Sequence, residues 1–305
     1  MRDAATMNES GRRKQRRLPL FAALFAALAT GISAVQVSAE LHVQDDLGNR
    51  IVLSAPARRI VSLAPHVTEL LYAAGAGDRI LAAVEYSDWP PAARGLPRVG
   101  DATRIDHERL LALQPDLIIA WASGTPAREL DAVRRLGLPL YLSEPRKLAA
   151  IGEQLRVFGR LAGTEPTADT AAAEYERRLG ALRARYAQTS PRPVFYQLAL
   201  QPLLTVNGEH LIDAALRLCG ANNPFADLPT LTPQVSIEAV LAARPDVVIL
   251  ALYPGETVAA SERFWRRYGL PDRVRFIGVP GDYIHRATPR ILEGVERICR
   301  GMVEQ

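Results

Sequence analysis

The side chains best suited to binding a ligand follow predicted β-strands. Four such segments combine aromatic with polar residues: 86–91, 121–124, 197–201 and 281–286. In open α/β sheets, ligands collect in the loops beyond the carboxyl ends of the strands. Aromatic surfaces with a few hydrogen-bonding groups suit a flat, partly apolar ligand. A loop tyrosine or tryptophan can equally pack within its own lobe, so the set, rather than any one segment, predicts a cleft.

Residue patterns that would support covalent chemistry are missing from the sequence. It contains no Gly-x-Ser-x-Gly elbow, no Walker loop and no His-Glu-x-x-His motif. Gly75-Ala-Gly77 lacks the third glycine and the acidic partner of a dinucleotide fingerprint, so it predicts a helix end. We therefore expect a binding protein with no catalytic residues and no cofactor. A periplasmic enzyme on the same fold is the alternative.

The histidines do not predict a metal site. No two of the five stand at the spacing of metal ligands, which argues against permanent zinc or manganese. His66 is expected to have a local role at the start of its helix, and His42 is expected to lie in a hairpin. The five are His42, His66, His107, His210 and His285.

From residue 59 onward, short apolar runs alternate with amphipathic stretches. Strands are predicted at 59–63, 80–84, 116–121 and 138–142, and helices at 66–74, 105–113 and 126–136. Apolar strands separated by helices predict an α/β fold whose parallel sheet is covered on both faces. The preceding segment, 41–53, predicts a β-hairpin at the edge of this lobe.

An internal repeat predicts a second lobe. Residues 107–119 recur as 237–249, with Glu, Leu, Ala, Pro-Asp and Ile at equal offsets. Each copy is typical of a helix stopped by proline and followed by a buried strand. Chance similarity between two ordinary units is the alternative, but the equal offsets favour two related lobes.

A long helix is predicted between the lobes. Residues 166–187 are rich in Ala, Glu and Arg, and 164–167 have good helix-start chemistry. A helix of this length spans about 33 Å. The predicted organisation is an N-terminal lobe at 40–165, a bridging helix at 166–188 and a C-terminal lobe at 191–305. A single helical connection predicts a stiff hinge.

Charge is concentrated at the N-terminus. Residues 1–39 hold six basic and two acidic side chains, which account for the whole formal net charge of +4. The remaining body is neutral, whereas a surface that follows nucleic-acid phosphates needs an excess of cations. The sequence therefore argues against nucleic acid as a partner.

The first 39 residues are typical of a secretory signal. A basic run at 12–17 precedes an apolar stretch at 18–35 and small residues up to Ala39. We expect cleavage after Ala39 and a soluble protein in the periplasm, translated from either Met1 or Met7. A retained membrane anchor is the alternative, although small polar residues dilute the apolar stretch. No cysteine lies near the cleavage site, which argues against a lipid anchor.

The two cysteines, Cys219 and Cys299, lie in the last third of the chain. In a cytosolic protein, such a distant pair is most often two buried free thiols. In an oxidising compartment, the same pair is more often a disulfide.

Together, the motifs resemble the iron/B12 class of periplasmic binding proteins, and most closely its members that bind vitamin B12 for an ABC importer. The similar segments are 59–69, 86–91, 115–121 and 233–236, and the resemblance extends over 59–303. It implies two Rossmann-like lobes joined by one rigid helix, and a monomer that carries a cobalamin-like corrinoid to an inner-membrane ABC permease. A receptor for an iron-siderophore or haem, with a cleft richer in arginine, is the alternative within the class.

The resemblance also assigns roles to individual residues. It implies that Cys219 and Cys299 form the family's disulfide, and that Glu108 and Glu238 dock onto arginines of the permease. Small residues, Ala102 and Thr232, stand where the family has two tryptophans over the corrin. Tyr86 and the segment 282–286 match ligand contacts of the family, and Trp121 is added from the strand-end segments above. The candidate ligand set is Tyr86, Trp121, Asp282, Tyr283, Ile284, His285 and Arg286.

Overall fold

The computed structural model describes residues 40–101, 103–187 and 190–303. The predicted signal segment and Ala102 therefore lie outside the described residues. Within the described ranges, no helix is both long enough and apolar enough to cross a membrane.

The first lobe is a four-stranded parallel sheet with helices on its faces, preceded by the predicted antiparallel hairpin. Its strands are ordered β4-β3-β5-β6. The central strand β5 is buried along almost its whole length because helices cover both faces of the sheet. In chain order the elements are β1 (Leu41–Gln44), β2 (Arg50–Leu53), β3 (Ile60–Ser62), α1 (Pro65–Ala73), β4 (Ile80–Ala83), α2 (His107–Ala112), β5 (Leu117–Trp121), α3 (Ala127–Arg135), β6 (Leu140–Ser143) and α4 (Leu148–Ala162).

A single long helix, α5 (Glu165–Tyr186), connects the two lobes. Pro166 lies in its first turn, as the sequence predicts, but Thr164 does not cap it. The Thr164 hydroxyl instead donates to the carbonyl of Ala74, 2.6 Å away, and so joins the start of α5 to the end of α1. Ala168 packs so closely on Gly159 of α4 that a Cβ at position 159 would collide with it.

The second lobe repeats the architecture of the first. Its parallel sheet has the order β10-β7-β11-β12, and β8 and β9 form a short antiparallel pair. In chain order the elements are β7 (Arg192–Gln197), β8 (Ala199–Leu200), β9 (Leu203–Leu204), α6 (Leu211–Leu218), β10 (Ala221–Asn222), α7 (Ile237–Ala242), β11 (Val247–Leu252), α8 (Val258–Arg267), β12 (Arg275–Pro280), α9 (Gly281–Ile284) and α10 (Ile291–Val303).

The two copies of the sequence repeat adopt the same local structure. Asp106 caps α2 by accepting from the backbone N–H of Arg109, and Ser236 caps α7 by accepting from that of Ala239. Each helix ends two residues before a residue in the left-handed region, Gln114 with φ 45° and Arg244 with φ 46°. Each of these residues precedes a proline, which excludes further helix. Shared caps and shared strained turns support two related lobes over chance similarity.

Cys219 and Cys299 form a disulfide. It joins the residue that ends α6 to the last helix, α10, across a sequence separation of 80 residues. The two cysteines are therefore not free thiols, and the disulfide that the family resemblance implies is confirmed.

One apolar cluster runs through both lobes and the helix between them. It includes Val43 of the hairpin, Tyr175 of α5 and Val295 of α10, all buried. Each lobe has a further cluster of its own on the opposite face of its sheet. Because burial of apolar surface is the main stabilising term, a core shared across the connection makes the bridging helix part of both lobes.

Candidate ligand-binding site

Residues from both lobes line a cavity of about 490 Å³, here called the cleft. Trp121 ends β5 in the first lobe, and Tyr253 follows β11 in the second, so the cleft lies at the carboxyl ends of the strands as predicted for this fold. Its lining residues are Trp121, Ser123, Leu198, His210, Ile212, Leu231, Thr232, Tyr253 and His285.

A smaller cavity of about 40 Å³, here called the recess, adjoins the cleft. The two share Trp121, Ser123, His210, Ile212, Leu231 and His285 in their linings. The recess adds His66, Glu144 and Arg146 from the first lobe. Its volume suits a polar group of a few atoms and is too small for a ring system.

Two glycines allow the aromatic rings of the cleft to pack directly against the backbone. Gly124 lies against the ring of Trp121, and Gly281 lies against the ring of Tyr253. A Cβ at either position would overlap the ring, so only glycine allows this approach. Both glycines belong to segments that the sequence analysis selected, and their role there is to position aromatic side chains.

The candidate ligand residues do not all meet in the cleft. Trp121 and His285 line it, and Ile284 lines the recess although its side chain is almost completely buried. Tyr86 is outside both linings, with 75% of its surface exposed and a left-handed backbone at φ 63°. Asp282 is also outside both linings.

The segment 282–286 is not the loop that the sequence predicts. Gly281–Ile284 forms α9, a single helical turn that continues directly from β12, and His285 ends it. The N–H of His285 closes the turn on the carbonyl of Gly281 at 2.8 Å. This turn places Ile284 in the interior and directs Asp282 and Arg286, four residues apart, to the same side.

Arg286 holds the two lobes together. Its Nη1 lies 2.8 Å from Oε1 of Glu69 on α1 and 2.8 Å from Oδ1 of Asp88, while its Nη2 lies 2.9 Å from Oδ1 of Asp282. Arg290 adds a two-point contact to Glu69, at 2.9 Å and 2.6 Å. We call these five residues the interlobe network. Glu69 is its centre, with a side chain only 3% exposed.

Electrostatics and stacking strengthen the interlobe network. Burial alone would raise the pKa of Asp88, but the hydrogen bond from Arg286 holds that pKa below its ordinary value. The guanidinium of Arg290 lies 4.5 Å from the ring centre of Trp89 and 5.3 Å from that of Tyr283. Arg286 thus joins the lobes directly, and Tyr283 packs on Arg290 from within the second lobe.

Three of the five histidines converge on the cleft and the recess. His66 comes from the first lobe, and His210 and His285 come from the second. The sequence separates these residues by up to 219 positions, so their spacing carries no sign of the cluster. The one sign of the cluster in the sequence is that His66 and His285 each follow a strand of a parallel sheet. Among the described residues, no group of His, Cys, Asp and Glu is arranged to hold a metal ion.

Burial keeps these histidines uncharged. Removal from water is the main cause of a pKa lowered to about 3 for His66 and to about 4 for His210 and His285. The nearby cations Arg286 and Arg146 lower the values for His66 and His210 further. The ring of His66 also meets the ring of Trp121 edge-on, with centres 5.4 Å apart. His66 therefore forms part of the buried lining of the recess and does not cap the start of α1.

His285 is held between two tyrosine hydroxyls. Its Nε2 lies 2.8 Å from the hydroxyl of Tyr196, and its Nδ1 lies 2.6 Å from that of Tyr253. Both ring nitrogens are occupied, so His285 orients Tyr253 in the cleft and has no lone pair left for a ligand.

Glu108 and Glu238 are exposed in the first turns of α2 and α7, the equivalent helices of the two lobes. The backbone N–H of Glu238 and the hydroxyl of Ser236 lower the pKa of the Glu238 carboxyl below its ordinary value. A negative charge at a helix start is also favourable for the helix dipole.

Comparison with known proteins identifies the family. The family model described as "Periplasmic binding protein" matches residues 60–261. A vitamin B12-binding protein of Vibrio cholerae serotype O1 is 39% identical over 248 residues, which is 80% of this chain and 88% of that protein. The chain belongs to the periplasmic binding protein family.

Solved structures of such proteins share the fold. The crystal structure of the periplasmic vitamin B12-binding protein of Vibrio cholerae matches with a TM-score of 0.74 and 38% identity, over 81% of this chain and 97% of that one. A periplasmic haem-binding protein from Roseiflexus sp. RS-1 matches with a TM-score of 0.69 and 25% identity, over 81% and 98%. These matches confirm the family resemblance and the fold class of two lobes joined by a long helix.

Neutralising the centre of the interlobe network should destabilise this periplasmic binding protein. Glu69→Gln removes the carboxylate that Arg290 binds and leaves Arg286 with Asp88 and Asp282 only. Breaking a buried pair in this way typically costs about 3–5 kcal/mol. We expect a decrease of that size in the free energy of unfolding, measured by urea denaturation. The control, Glu174→Gln, removes an exposed carboxylate that pairs with Arg177 within α5, and should leave the unfolding midpoint near that of the wild type. Equal midpoints for the two variants would contradict the role of Glu69.

The neutral histidines predict a loss of stability in acid. The unfolded chain takes up a proton on His66 near pH 6.5, whereas the folded protein resists protonation down to about pH 3. Because the unfolded state then binds more protons, stability decreases as the pH is lowered through this window, by up to about 1.4 kcal/mol per pH unit for each such histidine.

The test is the slope of unfolding free energy against pH. His66→Asn should have a shallower slope than the wild type, while His42→Asn, which changes an exposed hairpin histidine, should keep the wild-type slope. Parallel curves for His66→Asn and the wild type would show that His66 does not contribute.

Proposed function

We propose that this protein captures a cobalamin-like corrinoid in the periplasm and delivers it to an inner-membrane ABC importer. The observation that carries the proposal is the 39% identity to a vitamin B12-binding protein over 80% of the chain, together with a cleft at the strand ends of two lobes. The ligand is released unchanged, as the binding-protein descriptions of the family model and of the similar Vibrio cholerae protein support.

The shape and chemistry of the cleft support a corrinoid. A corrin has broad apolar faces edged with amides, which suits aromatic walls with a few hydrogen-bonding groups. Trp121 from the first lobe and Tyr253 from the second supply the walls. Thr232, in the place of a family tryptophan, lines the cleft and leaves space there for the ligand.

Tyr86 and Asp282 complete the proposed ligand contacts at the rim. The ring of Tyr86 is 75% exposed and its backbone is left-handed, and both features raise the free energy of the folded protein. Backbone strain of this kind is common where a protein clamps a ligand. Tyr86 adjoins Ser87 and Asp88, and Asp88 binds Arg286, so the interlobe network fixes the base of this segment. Asp282 keeps 43% of its side chain exposed and can accept hydrogen bonds from amides.

Haem is the competing ligand within the family, supported by the structural match to a haem-binding protein. Haem carries two carboxylates, which favour cationic partners. Arg146, the permanent cation in the recess lining, is paired with Glu144 and Glu209. A site whose cation is already paired fits an amidated ligand better than a carboxylated one.

Glu108 and Glu238 form the proposed docking sites for the permease. They are exposed at equivalent positions of the two lobes, so an importer with two related halves can engage both through arginines. Charge pairing of this kind guides encounter and weakens with salt. We further propose a monomer that is exported by its N-terminal segment and cleaved after Ala39.

Titration calorimetry with cyanocobalamin, cobinamide, haem and a ferric siderophore tests the ligand. We expect binding of the two corrinoids. Loss of one stacked ring typically corresponds to about a two- to twelvefold change in affinity, so Trp121→Ala and Tyr86→Ala should weaken binding by this order, and Asp282→Ala should weaken it as well. Tyr268→Ala, an exposed tyrosine outside both cavities, is the matched control. Binding of haem or siderophore without either corrinoid would overturn the assignment.

Uptake of labelled cobalamin by cells that depend on this protein tests the docking sites. The double variant Glu108→Ala/Glu238→Ala should transport poorly while the purified protein keeps its ligand affinity. Glu165→Ala removes an exposed first-turn glutamate from α5 and controls for the loss of helix stabilisation alone. Normal uptake by the double variant would leave these glutamates with only that local role.

A further inference from the structure

The tautomer of His210 is determined by the helix that it precedes. His210 is the N-cap of α6, and its Nδ1 accepts from the backbone N–H of Ile212 at 3.1 Å. A nitrogen that accepts cannot carry the proton, so the neutral ring carries it on Nε2. His210 lines both the cleft and the recess. It therefore offers an uncharged N–H donor from the second lobe.

The tautomer of His66 is determined by a chain of hydrogen bonds that begins in the hairpin. Asp46 accepts from Nε2 of Gln154 at 2.7 Å, which orients that amide. Oε1 of Gln154 then accepts the hydroxyl proton of Ser143 at 3.0 Å. Because this hydroxyl has one proton, Oγ of Ser143 must accept from Nε2–H of His66, 3.2 Å away.

His66 consequently has its lone pair on Nδ1. Within the described part of the chain, no hydrogen bond reaches this nitrogen. Since His66 lines the recess, the first lobe contributes an uncharged acceptor to the same small cavity in which the second lobe contributes a donor.

The charged groups around the recess are already neutralised. Glu144 accepts from the backbone N–H and the hydroxyl of Ser123 at 2.8 Å and 3.0 Å, and it lies 3.8 Å from Arg146. Arg146 also reaches Glu209 in the second lobe at 3.5 Å. Neither histidine is protonated near neutral pH, since burial lowers the pKa of His66 to about 3 and that of His210 to about 4.

We infer that His66 and His210 together recognise one primary carboxamide on the edge of the bound ligand. Nε2–H of His210 donates to the amide oxygen, and Nδ1 of His66 accepts from the amide N–H. The inference rests on the proposed function and makes it more specific, because it names amidated corrinoids as the preferred class among tetrapyrroles. A carboxylate in the same place has no proton for Nδ1 of His66, and its oxygen faces a lone pair.

The test compares cyanocobalamin with its monocarboxylic acids, in each of which a single peripheral amide is hydrolysed. We expect the wild type to bind one of these acids at least about tenfold more weakly than cyanocobalamin, the effect of one buried group left without its partner. The other monoacids should bind nearly as well as cyanocobalamin.

Variants connect this discrimination to the two histidines. His210→Ser keeps a side-chain cap on α6 and removes the ring donor, so it should bind cyanocobalamin about three- to tenfold more weakly and lose most of the discrimination. His66→Phe keeps a ring against Trp121 and should act in the same direction. The control, His42→Ser, should match the wild type.

The outcomes separate the two proposals. If cyanocobalamin does not bind to the wild type, the proposed function fails. If cyanocobalamin binds but all monoacids bind equally well, or if His210→Ser discriminates as the wild type does, only the role of the histidine pair fails.

Discussion

The arrangement of the whole site depends on one buried carboxylate, Glu69. It lies on the first helix of one lobe and binds two arginines, Arg286 and Arg290, that precede the last helix of the other. A carboxylate removed from water is stable only if its hydrogen bonds are satisfied, and here both oxygens meet guanidinium donors. The pairing therefore constrains the separation of the lobes, and with it the width of the cleft. The continuous apolar core through α5 also constrains the separation of the lobes.

A second constraint reaches the site from the edge of the fold. The hairpin turn residue Asp46 accepts from Gln154 and from the hydroxyl of Tyr141, which joins the hairpin to α4 and β6. Through Gln154 and Ser143, this carboxylate decides which nitrogen of His66 carries the proton. The turn of the hairpin, which lies against the end of β6, thus determines whether the recess receives a donor or an acceptor. Such polar networks specify geometry strongly because a broken link leaves a buried group unsatisfied.

Among the described residues, no charged side chain lines the cleft, and the two charged groups of the recess, Glu144 and Arg146, are paired. Arg286 matches a ligand-contacting position of the family, but its guanidinium is engaged by Glu69, Asp88 and Asp282. His285, in the same segment, is occupied by two tyrosines. The side chains that remain directed at the cleft are aromatic rings, small polar groups and neutral imidazoles. Such a surface favours a large, mostly apolar ligand edged with amides, in agreement with the similarity to vitamin B12-binding proteins.

Several features were predictable from sequence because their causes are local. The periodicity of apolar residues predicts the strands and the first three helices of the first lobe, though not α4, and the repeat of 107–119 at 237–249 predicts the second lobe. The aromatic segments at strand ends predict where a ligand lies, since parallel strands bring their carboxyl ends to one edge. The details at 281–286 were not predictable in the same way. The segment is too short for a helical period, and in the structure it forms a single turn of helix directly after β12, with Gly281 against the ring of Tyr253.

The sequence by itself determined the family, the two-lobed α/β architecture and three of the segments that border the cleft, because these follow from patterns of neighbouring residues; the fourth selected segment, 86–91, lies outside the cleft lining. Only the tertiary structure decided that Glu69 meets Arg286 and Arg290, more than 200 positions away, and that His66, His210 and His285 surround one cavity. It also decided the charge and the tautomers of these histidines. Burial and hydrogen-bond partners set both properties, and such partners come together only when distant segments of the chain pack against each other.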